Sequence, residues 1–123
     1  MRRSKRITMD NALDRAVLES FRQLNQDGEP DVLVEVLGLF LEDAPARLDA
    51  MTAAVAAGDG PALQRAAHGL KGAAGTIGAR SLQAACRELE EMGKHNRLES
   101  ATAGLDLMRR EYERVKAEID HLL

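Results

Sequence analysis

Apolar residues recur along this chain every three or four positions, which is the spacing of one face of an α-helix. A first stripe consists of Leu13, Val17, Phe21 and Leu24 and ends at the polar segment "NQDGEP". A longer stripe follows Asp31, whose side chain suits the N-cap of a helix. This second stripe consists of Leu33, Leu37, Phe40, Ala44, Leu48, Met51 and Val55. Pro45 lies within it without changing its phase, so we expect one long helix that is kinked at the proline.

The remaining pattern predicts three further helices. The segment "AAGDGP" ends the second helix, and Pro61 stands where the first turn of a third helix tolerates proline. We expect the third helix to end at Gly78 and the fourth to run from about Ser81 to Gly93. The predicted buried positions of the fourth helix are Leu82, Ala85, Cys86, Leu89 and Met92. Those of the fifth helix are Leu105, Met108, Tyr112, Val115, Ile119 and Leu122.

Five helices joined by short loops predict an all-α fold. We expect an up-down antiparallel four-helix bundle with an additional short N-terminal helix, built by residues 11–123. Composition agrees, because hydrophobic residues make up 45% of the 123 residues and aromatic residues only 2%. A core without many rings suits closely packed helices better than a sheet, since strands favour aromatic and β-branched residues. The single Cys86 lies on an apolar stripe, where we expect it to be part of the core.

The charge balance disfavours several classes of partner. The net charge is −3, from 17 basic and 20 acidic residues, which is not typical of a nucleic-acid-binding protein. The basic residues at positions 2, 3, 5 and 6 have no apolar stretch behind them, so residues 1–10 are interpreted as a disordered terminus rather than a signal peptide. No run approaches the roughly 20 apolar residues of a membrane span. We therefore expect a cytoplasmic protein without a membrane or nucleic-acid partner.

The segment "AAHGLKGAAGTIGA", residues 66–79, places a histidine on the polar face of the third helix. On a helical wheel at about 100° per residue, the apolar side chains lie opposite His68. These apolar residues are Leu63, Ala66, Ala67, Leu70, Ala74 and Ile77. The residues that share the face of His68 are Gln64, Arg65, Lys71, Gly72 and Gly75. The pattern predicts an exposed imidazole beside a cation and two residues without side chains.

Gly72 and Gly75 weaken this helix by about 1 kcal/mol each relative to alanine. An exposed helix face offers no packing reason for that loss. We therefore expect a large partner to approach the backbone beside His68, in contact with Gln64, Arg65, Gly72 and Gly75. The charge of Lys71 indicates that the partner, or the group it delivers, is anionic.

The chemistry available to this face is that of a single nucleophile. An imidazole, with an ordinary pKa near 6.5, is largely neutral at pH 7 and nucleophilic at a ring nitrogen. The chain has no Ser/His/Asp set or acid pair, and the glycine-rich segment lacks the Gly-Lys-Ser/Thr ending of a phosphate-binding P-loop. We expect no cofactor and no metal here, and no autonomous kinase activity. The histidine could accept a phosphoryl group, but another protein would have to donate it and supply the metal and the acidic residues.

The segment resembles the signature of histidine-containing phosphotransfer (HPt) domains. The matching residues are His68, Leu70, Lys71, Gly72, Gly78 and Ala79. The flanking segments "FLEDAPARLDAM" and "LQAACRELE" are similar to the second and fourth helices of that family, and the resemblance covers roughly residues 12–120. It implies a monomeric phosphorelay intermediate. His68 would take a phosphoryl group from a receiver-domain aspartate of a hybrid sensor kinase and pass it to the aspartate of a response regulator, with Mg²⁺ only in the receiver.

The resemblance also implies roles for neighbouring residues. Lys71 would steady the phosphoryl charge and Gly72 would leave room for the receiver. Many members carry a glutamine on the next helix that contacts the imidazole, whereas this chain has Glu90 there. A carboxylate could hold Nδ1–H and leave Nε2 to attack, but would repel a phosphate if too close. Gln83 and Arg87 share the stripe of Glu90, so any of the three could face His68.

Three alternative interpretations stay open. The chain could be a domain of a larger hybrid kinase, although Met1 and the basic start favour a separate protein. It could instead be the histidine-bearing domain of a chemotaxis-type kinase. In a different functional class, it could be an interaction module that sequesters a partner on the His68 face. His95, in a polar loop, and His121, near the end of the chain, are interpreted as solvated residues.

Overall fold

The computed structural model describes residues 11–123, which form five α-helices and, within that range, no strand. The helices are α1 (Arg15–Arg22), α2 (Val32–Ala57), α3 (Gly60–Thr76), α4 (Arg80–Lys94) and α5 (Ala101–Leu122). Helix α3 packs between α2 and α4, and α5 packs against both α4 and α2, which closes the bundle. The short helix α1 packs against α2. The all-α four-helix bundle with an extra N-terminal helix is confirmed, and the segment 1–10 lies outside the described residues.

Aspartate caps fix the starts of three helices, and Asp14 caps α1 by accepting from Ala16 N. The Asp31 carboxylate accepts hydrogen bonds from the backbone N–H groups of Leu33 and Val34, as expected for the N-cap of α2. Asp59 caps α3 by accepting from Ala62 N, with Pro61 in the first turn. Helix α2 continues through Pro45 without interruption. Helix α3 ends at Thr76 instead of Gly78, because the chain turns into the α3–α4 loop where Gly78 adopts a φ of +75°.

The core follows the predicted stripes except in α1. The apolar positions of α2 and α5 are buried almost throughout, and the rings of Phe40 and Tyr112 pack 6.2 Å apart. The predicted face of α1 is wrong at one end: Leu24 is 61% exposed, whereas Leu18 is buried. Helix α1 ends at Arg22, so Leu24 lies beyond the helix and cannot continue its buried side. Smaller corrections concern six other predicted buried positions that are only half-buried, namely Val17, Phe21, Val55, Ala66, Met92 and Leu122.

The start of α1 is attached to the loop between α3 and α4. The backbone N–H of Asp14 donates to the carbonyl of Gly78 at 2.9 Å, and the Asp14 carboxylate accepts two hydrogen bonds from Arg80 at 2.6 and 2.9 Å. A Cβ on Gly78 would lie 2.9 Å from the Asp14 Cβ and 3.0 Å from the Val17 Cβ. Glycine at position 78 therefore allows both the left-handed turn and the close approach of α1.

Helices α3 and α4 touch through their backbones at the start of α3 and the end of α4. A Cβ on Gly93 would lie 2.6 Å from the Gly60 carbonyl oxygen and 2.7 Å from the Gln64 backbone nitrogen. A Cβ on Gly60 would in turn lie 2.7 Å from the Gly93 carbonyl oxygen. This pair of glycines sets the spacing between the two helices, and we call it the glycine crossing.

Candidate functional site

His68 lies at the middle of α3 and points away from the core, as the helical wheel predicts. Its side chain is 69% exposed, while Ala67 and Leu70 on the opposite side are fully buried. Its Nδ1 atom lies 2.7 Å from the Oε2 atom of Glu90 on α4. The Glu90 side chain is only 13% exposed, so this contact lies at the base of the imidazole.

Lys71 completes a chain of three residues through the same carboxylate. Its Nζ atom lies 2.6 Å from Glu90 Oε1, and its side chain is 24% exposed. Each carboxylate oxygen therefore has its own partner, a lysine on one side and an imidazole nitrogen on the other. In this arrangement the charge of Lys71 is directed at Glu90, so its expected role toward a phosphoryl group remains a prediction.

The electrostatic environment keeps Glu90 ionised. The hydrogen bond from Lys71 is the largest cause that lowers its pKa below the ordinary value of 4.5; partial burial acts in the opposite direction, and the hydrogen bond with His68 again lowers it. An ionised carboxylate only accepts hydrogen bonds, so His68 Nδ1 has to be the donor. The lone pair of the neutral imidazole is then on Nε2. The hydrogen-bond pattern thus leaves Nε2 as the ring nitrogen with an available lone pair.

Of the three α4 residues that share the stripe, only Glu90 contacts His68. Gln83 lies farther along α4 and covers Gly75, because a Cβ built on Gly75 would lie 2.7 Å from Gln83 Nε2. Arg87 is exposed and makes no hydrogen bond or ion pair with His68 in the described part of the chain. The structure therefore selects one of the three open assignments.

The glycines of α3 have different surroundings. The space where a Cβ of Gly72 would lie is open, in agreement with the prediction of an unobstructed backbone. For Gly75 the expected absence of a packing reason is wrong, because Gln83 occupies that position and Gly75 is half-buried. Gly69 lies under the guanidinium group of Arg47, which is paired with Asp43 at 2.6 Å. Sequence reasoning missed Arg47, since only the register of α2 against α3 brings it to this face.

The other predicted contact residues lie on the two sides of α3. Arg65 is exposed and lines a groove on the α2 side together with Asp43 and Arg47. Gln64 is half-buried on the α4 side, where its backbone meets Gly93. Their role in partner contact stays a prediction.

The remaining candidate groups are separate from this site. Cys86 is fully buried, and desolvation with a smaller effect from the Glu90 charge raises the pKa of its thiol to about 12, which keeps it neutral. His95 and His121 are exposed, and His95 lies 3.4 Å from Glu91. Within residues 11–123 no three histidine, cysteine or acidic side chains cluster in a way that could hold a metal ion. In the same range, no helix has the length and apolar character needed to cross a membrane.

Comparisons with known proteins agree on one family. Residues 35–118 match the model of the "Hpt domain". Histidine-containing phosphotransfer protein 2 of Arabidopsis thaliana is 27% identical over 104 residues, which cover 82% of this chain and 67% of that protein. The crystal structure of histidine-containing phosphotransfer protein B from Pseudomonas aeruginosa is 34% identical, with a TM-score of 0.81 over 89% of this chain and 92% of that one. The phosphotransfer protein MtHPt2 of Medicago truncatula, 23% identical, shares the fold with a TM-score of 0.80 over 93% of this chain and 78% of that one.

Proposed function

Because the chain belongs to the Hpt domain family, whose general activity is phosphotransfer in two-component signalling, we propose a specific route through His68. His68 accepts a phosphoryl group from a receiver-domain aspartate of a hybrid sensor kinase and passes it to the receiver aspartate of a response regulator. The observation that carries this proposal is the geometry of the imidazole, exposed at 69% and held at Nδ1 by a carboxylate. That contact leaves Nε2 as the only ring nitrogen with an available lone pair.

The transfer consists of two displacements at phosphorus. In the first, Nε2 attacks the aspartyl phosphate, the N–P bond forms, the P–O bond breaks and the aspartate carboxylate leaves. In the second, a carboxylate oxygen of the other receiver attacks phosphorus and the P–N bond breaks, which restores the imidazole. We expect each receiver to contribute its own Mg²⁺, so that this chain supplies the nucleophile and its positioning.

The Lys71–Glu90 ion pair removes a problem raised by the carboxylate. An unpaired Glu90 charge beside the imidazole would oppose the approach of an anionic phosphoryl group to Nε2. Lys71 at 2.6 Å compensates that charge within the site. The open backbone at Gly72 and the exposed Arg65, on the same side of His68, form the surface on which we expect a receiver to dock.

The test is transfer from phosphorylated receiver domains to the purified chain. We expect the label on His68 alone, stable to base and labile to acid as a phosphoramidate is. His68→Gln abolishes the transfer, whereas His95→Gln and His121→Gln, which alter exposed histidines outside the site, leave it intact. Label on another residue, or transfer that survives His68→Gln, contradicts the proposal. Tight receiver binding that is unaffected by His68→Gln, without any transfer, would indicate a sequestering module instead.

A further inference from the structure

The only carboxylate in contact with the His68 ring, among residues 11–123, is Glu90. The other groups that face this region are mostly cationic and lie on three helices. They are Arg65 and Lys71 on α3, Arg87 and Lys94 one turn before and after Glu90 on α4, and Arg47 on α2 with its partner Asp43. Among the described residues, the negative charge in direct contact with the imidazole therefore comes from Glu90.

The Nδ1 proton decides how readily a phosphorylated imidazole gives up its phosphoryl group. With Nδ1 protonated, the P–N bond breaks to release neutral imidazole. Without that proton the leaving group is an imidazolate anion, which is far more basic and leaves far more slowly. A carboxylate 2.7 Å from Nδ1 favours the protonated form, because an opposite charge within about 4–6 Å stabilises the charged state of a titrating group. A neutral amide at the same position accepts the same hydrogen bond without this charge effect.

We propose that Glu90 is a positioning residue that retains the Nδ1 proton through both displacements, so that phosphorylated His68 stays a reactive phosphoimidazolium to higher pH than with an amide at position 90. The inference rests on the proposed function in taking His68 Nε2 as the phosphorylated atom. The proton balance is simple: Nδ1–H is present before the first displacement, remains in the phosphorylated state and is still present when imidazole leaves. No proton has to enter or leave the site during the cycle.

Lys71 provides a second test of the proposal, because its removal is expected to have the opposite effect to the removal of the Glu90 charge. Its ammonium group contacts Glu90 Oε1 and neutralises part of the charge that acts on Nδ1. Removing the lysine charge therefore strengthens the effect of Glu90 on the imidazole, whereas removing the Glu90 charge abolishes it. The two substitutions shift the behaviour of the phosphohistidine in opposite directions, although both break the same ion pair.

The experiment measures phosphohistidine hydrolysis between pH 5 and 10 after labelling the full chain with phosphoramidate, which needs no receiver. The variants are Glu90→Gln, Lys71→Met and the matched control Glu91→Gln, an exposed neighbour that contacts His95. We expect the pH at which hydrolysis slows to fall by about one unit in Glu90→Gln, in line with shifts of 1–3 units from a close charge. The pH at which hydrolysis slows is expected to rise in Lys71→Met and to stay unchanged in Glu91→Gln.

A second readout is the pH dependence of the ³¹P resonance of the same samples, which follows the Nδ1 proton directly. If the midpoint pH of Glu90→Gln equals that of the wild type, the inference is overturned. An equal shift of the midpoint pH in Glu91→Gln, or a downward shift in Lys71→Met, also overturns it. Circular dichroism verifies that each variant is folded. If phosphoramidate labels His68 and the shifts appear but no receiver transfers, the proposed relay route fails while this inference stands. If phosphoramidate leaves His68 unlabelled, both fail, since both require a nucleophilic Nε2.

Discussion

At the scale of single residues, the carboxylate of Glu90 connects two side chains that lie one turn apart on α3. His68 and Lys71 each contact a different oxygen of the same group, at 2.7 and 2.6 Å. The lysine is thereby connected to the histidine through Glu90. Because position 90 carries an acid, we expect Lys71 to compensate its charge.

Replacing Lys71 with alanine tests this compensation. We expect the rate of phosphoryl transfer from a receiver to His68 to fall about 10–100-fold, which corresponds to about 1.4–2.7 kcal/mol in the barrier. The physical reason is the uncompensated Glu90 charge that the incoming phosphoryl group then meets. Rapid-quench kinetics measure the effect, and Lys116→Ala, an exposed lysine on α5, is the matched control. An unchanged rate in Lys71→Ala would show that the ion pair has no part in the transfer.

Sequence periodicity predicts the exposure of His68. Glu90 as the counterpart of the family glutamine was implied by the resemblance to HPt domains, with Gln83 and Arg87 open as alternatives. Periodicity did not predict the partner of Lys71. A helical wheel assigns a side chain to a face, but a lysine on that face can extend toward solvent, toward a ligand or toward the next helix. The choice depends on the distance between α3 and α4, which is a property of the packed molecule.

At the scale of helices, Gly72 and Gly75 serve different purposes although they lie on the same face of α3. Gly72 has open space beside it and Gly75 lies under Gln83. The sequence predicts the same role for both glycines, because a packing contact from α4 cannot be inferred from the composition of α3. The structure leaves Gly72 as the stronger candidate for receiver docking.

Substitution at these two glycines separates docking from packing. Gly72→Gln places a long side chain in open space, so we expect unchanged helical circular dichroism, crippled transfer from a receiver and intact labelling by phosphoramidate. In Gly75→Ala the new methyl group displaces only the flexible end of Gln83, so we expect transfer to be retained. Helix propensity then changes stability by at most about 1 kcal/mol. Equal loss of labelling from both donors in Gly72→Gln would instead mean that this glycine shapes the histidine itself.

The glycine crossing predicts a stability effect of its own. In Gly93→Ala the added methyl group meets backbone atoms of Gly60 and Gln64 at 2.6 and 2.7 Å, and neither can rotate away. The helices have to separate, and we expect a loss of about 1–3 kcal/mol in the free energy of unfolding. Urea denaturation measures it. The control is Gly38→Ala on α2, where nothing lies within 4 Å and alanine should stabilise the helix. Equal stability of the two variants would contradict the close contact.

At the scale of the whole molecule, the bundle was predictable and the attachment of α1 was not. Apolar stripes in steps of three and four predict helices, and short loops force neighbours to be antiparallel, so four long helices leave few arrangements. The hydrogen bonds that Asp14 makes with Gly78 and Arg80 join residues 64 and 66 positions apart in the sequence. No periodic pattern contains that pairing. The face of α1 was assigned wrongly at Leu24 for another reason, because the helix already ends at Arg22.

Two carboxylates link stability to pH. The hydrogen bond from Arg80 is the main cause of the lowered pKa of Asp14, and the hydrogen bond from Lys71 that of Glu90. A lowered pKa stabilises the fold above the ordinary values of about 3.8 and 4.5, and that contribution disappears as the pH falls through the folded-state values. We expect thermal unfolding temperatures to fall as the pH is lowered from 5 to 3. The double variant Asp14→Asn, Glu90→Gln should be less stable at pH 7 and show a smaller fall.

Circular dichroism melts at pH 7, 5, 4 and 3 measure this difference in slope. Asp43→Asn is the control, because its carboxylate is exposed and paired with Arg47 on the same helix. Parallel curves for wild type and the double variant would show that other acids dominate the acid response.

The two helices that carry His68 and Glu90 are tied together on both sides of the site. The glycine crossing joins them at the start of α3, and Asp14 ties their connecting loop to α1 at the other end. If the proposed function holds, we expect a site held in such a frame to present the same arrangement to each receiver, before and after phosphorylation. We therefore expect the protein to support phosphoryl transfer in either direction between its partners. Net flow of phosphoryl groups would then be decided by which of its partners holds the more stable aspartyl phosphate.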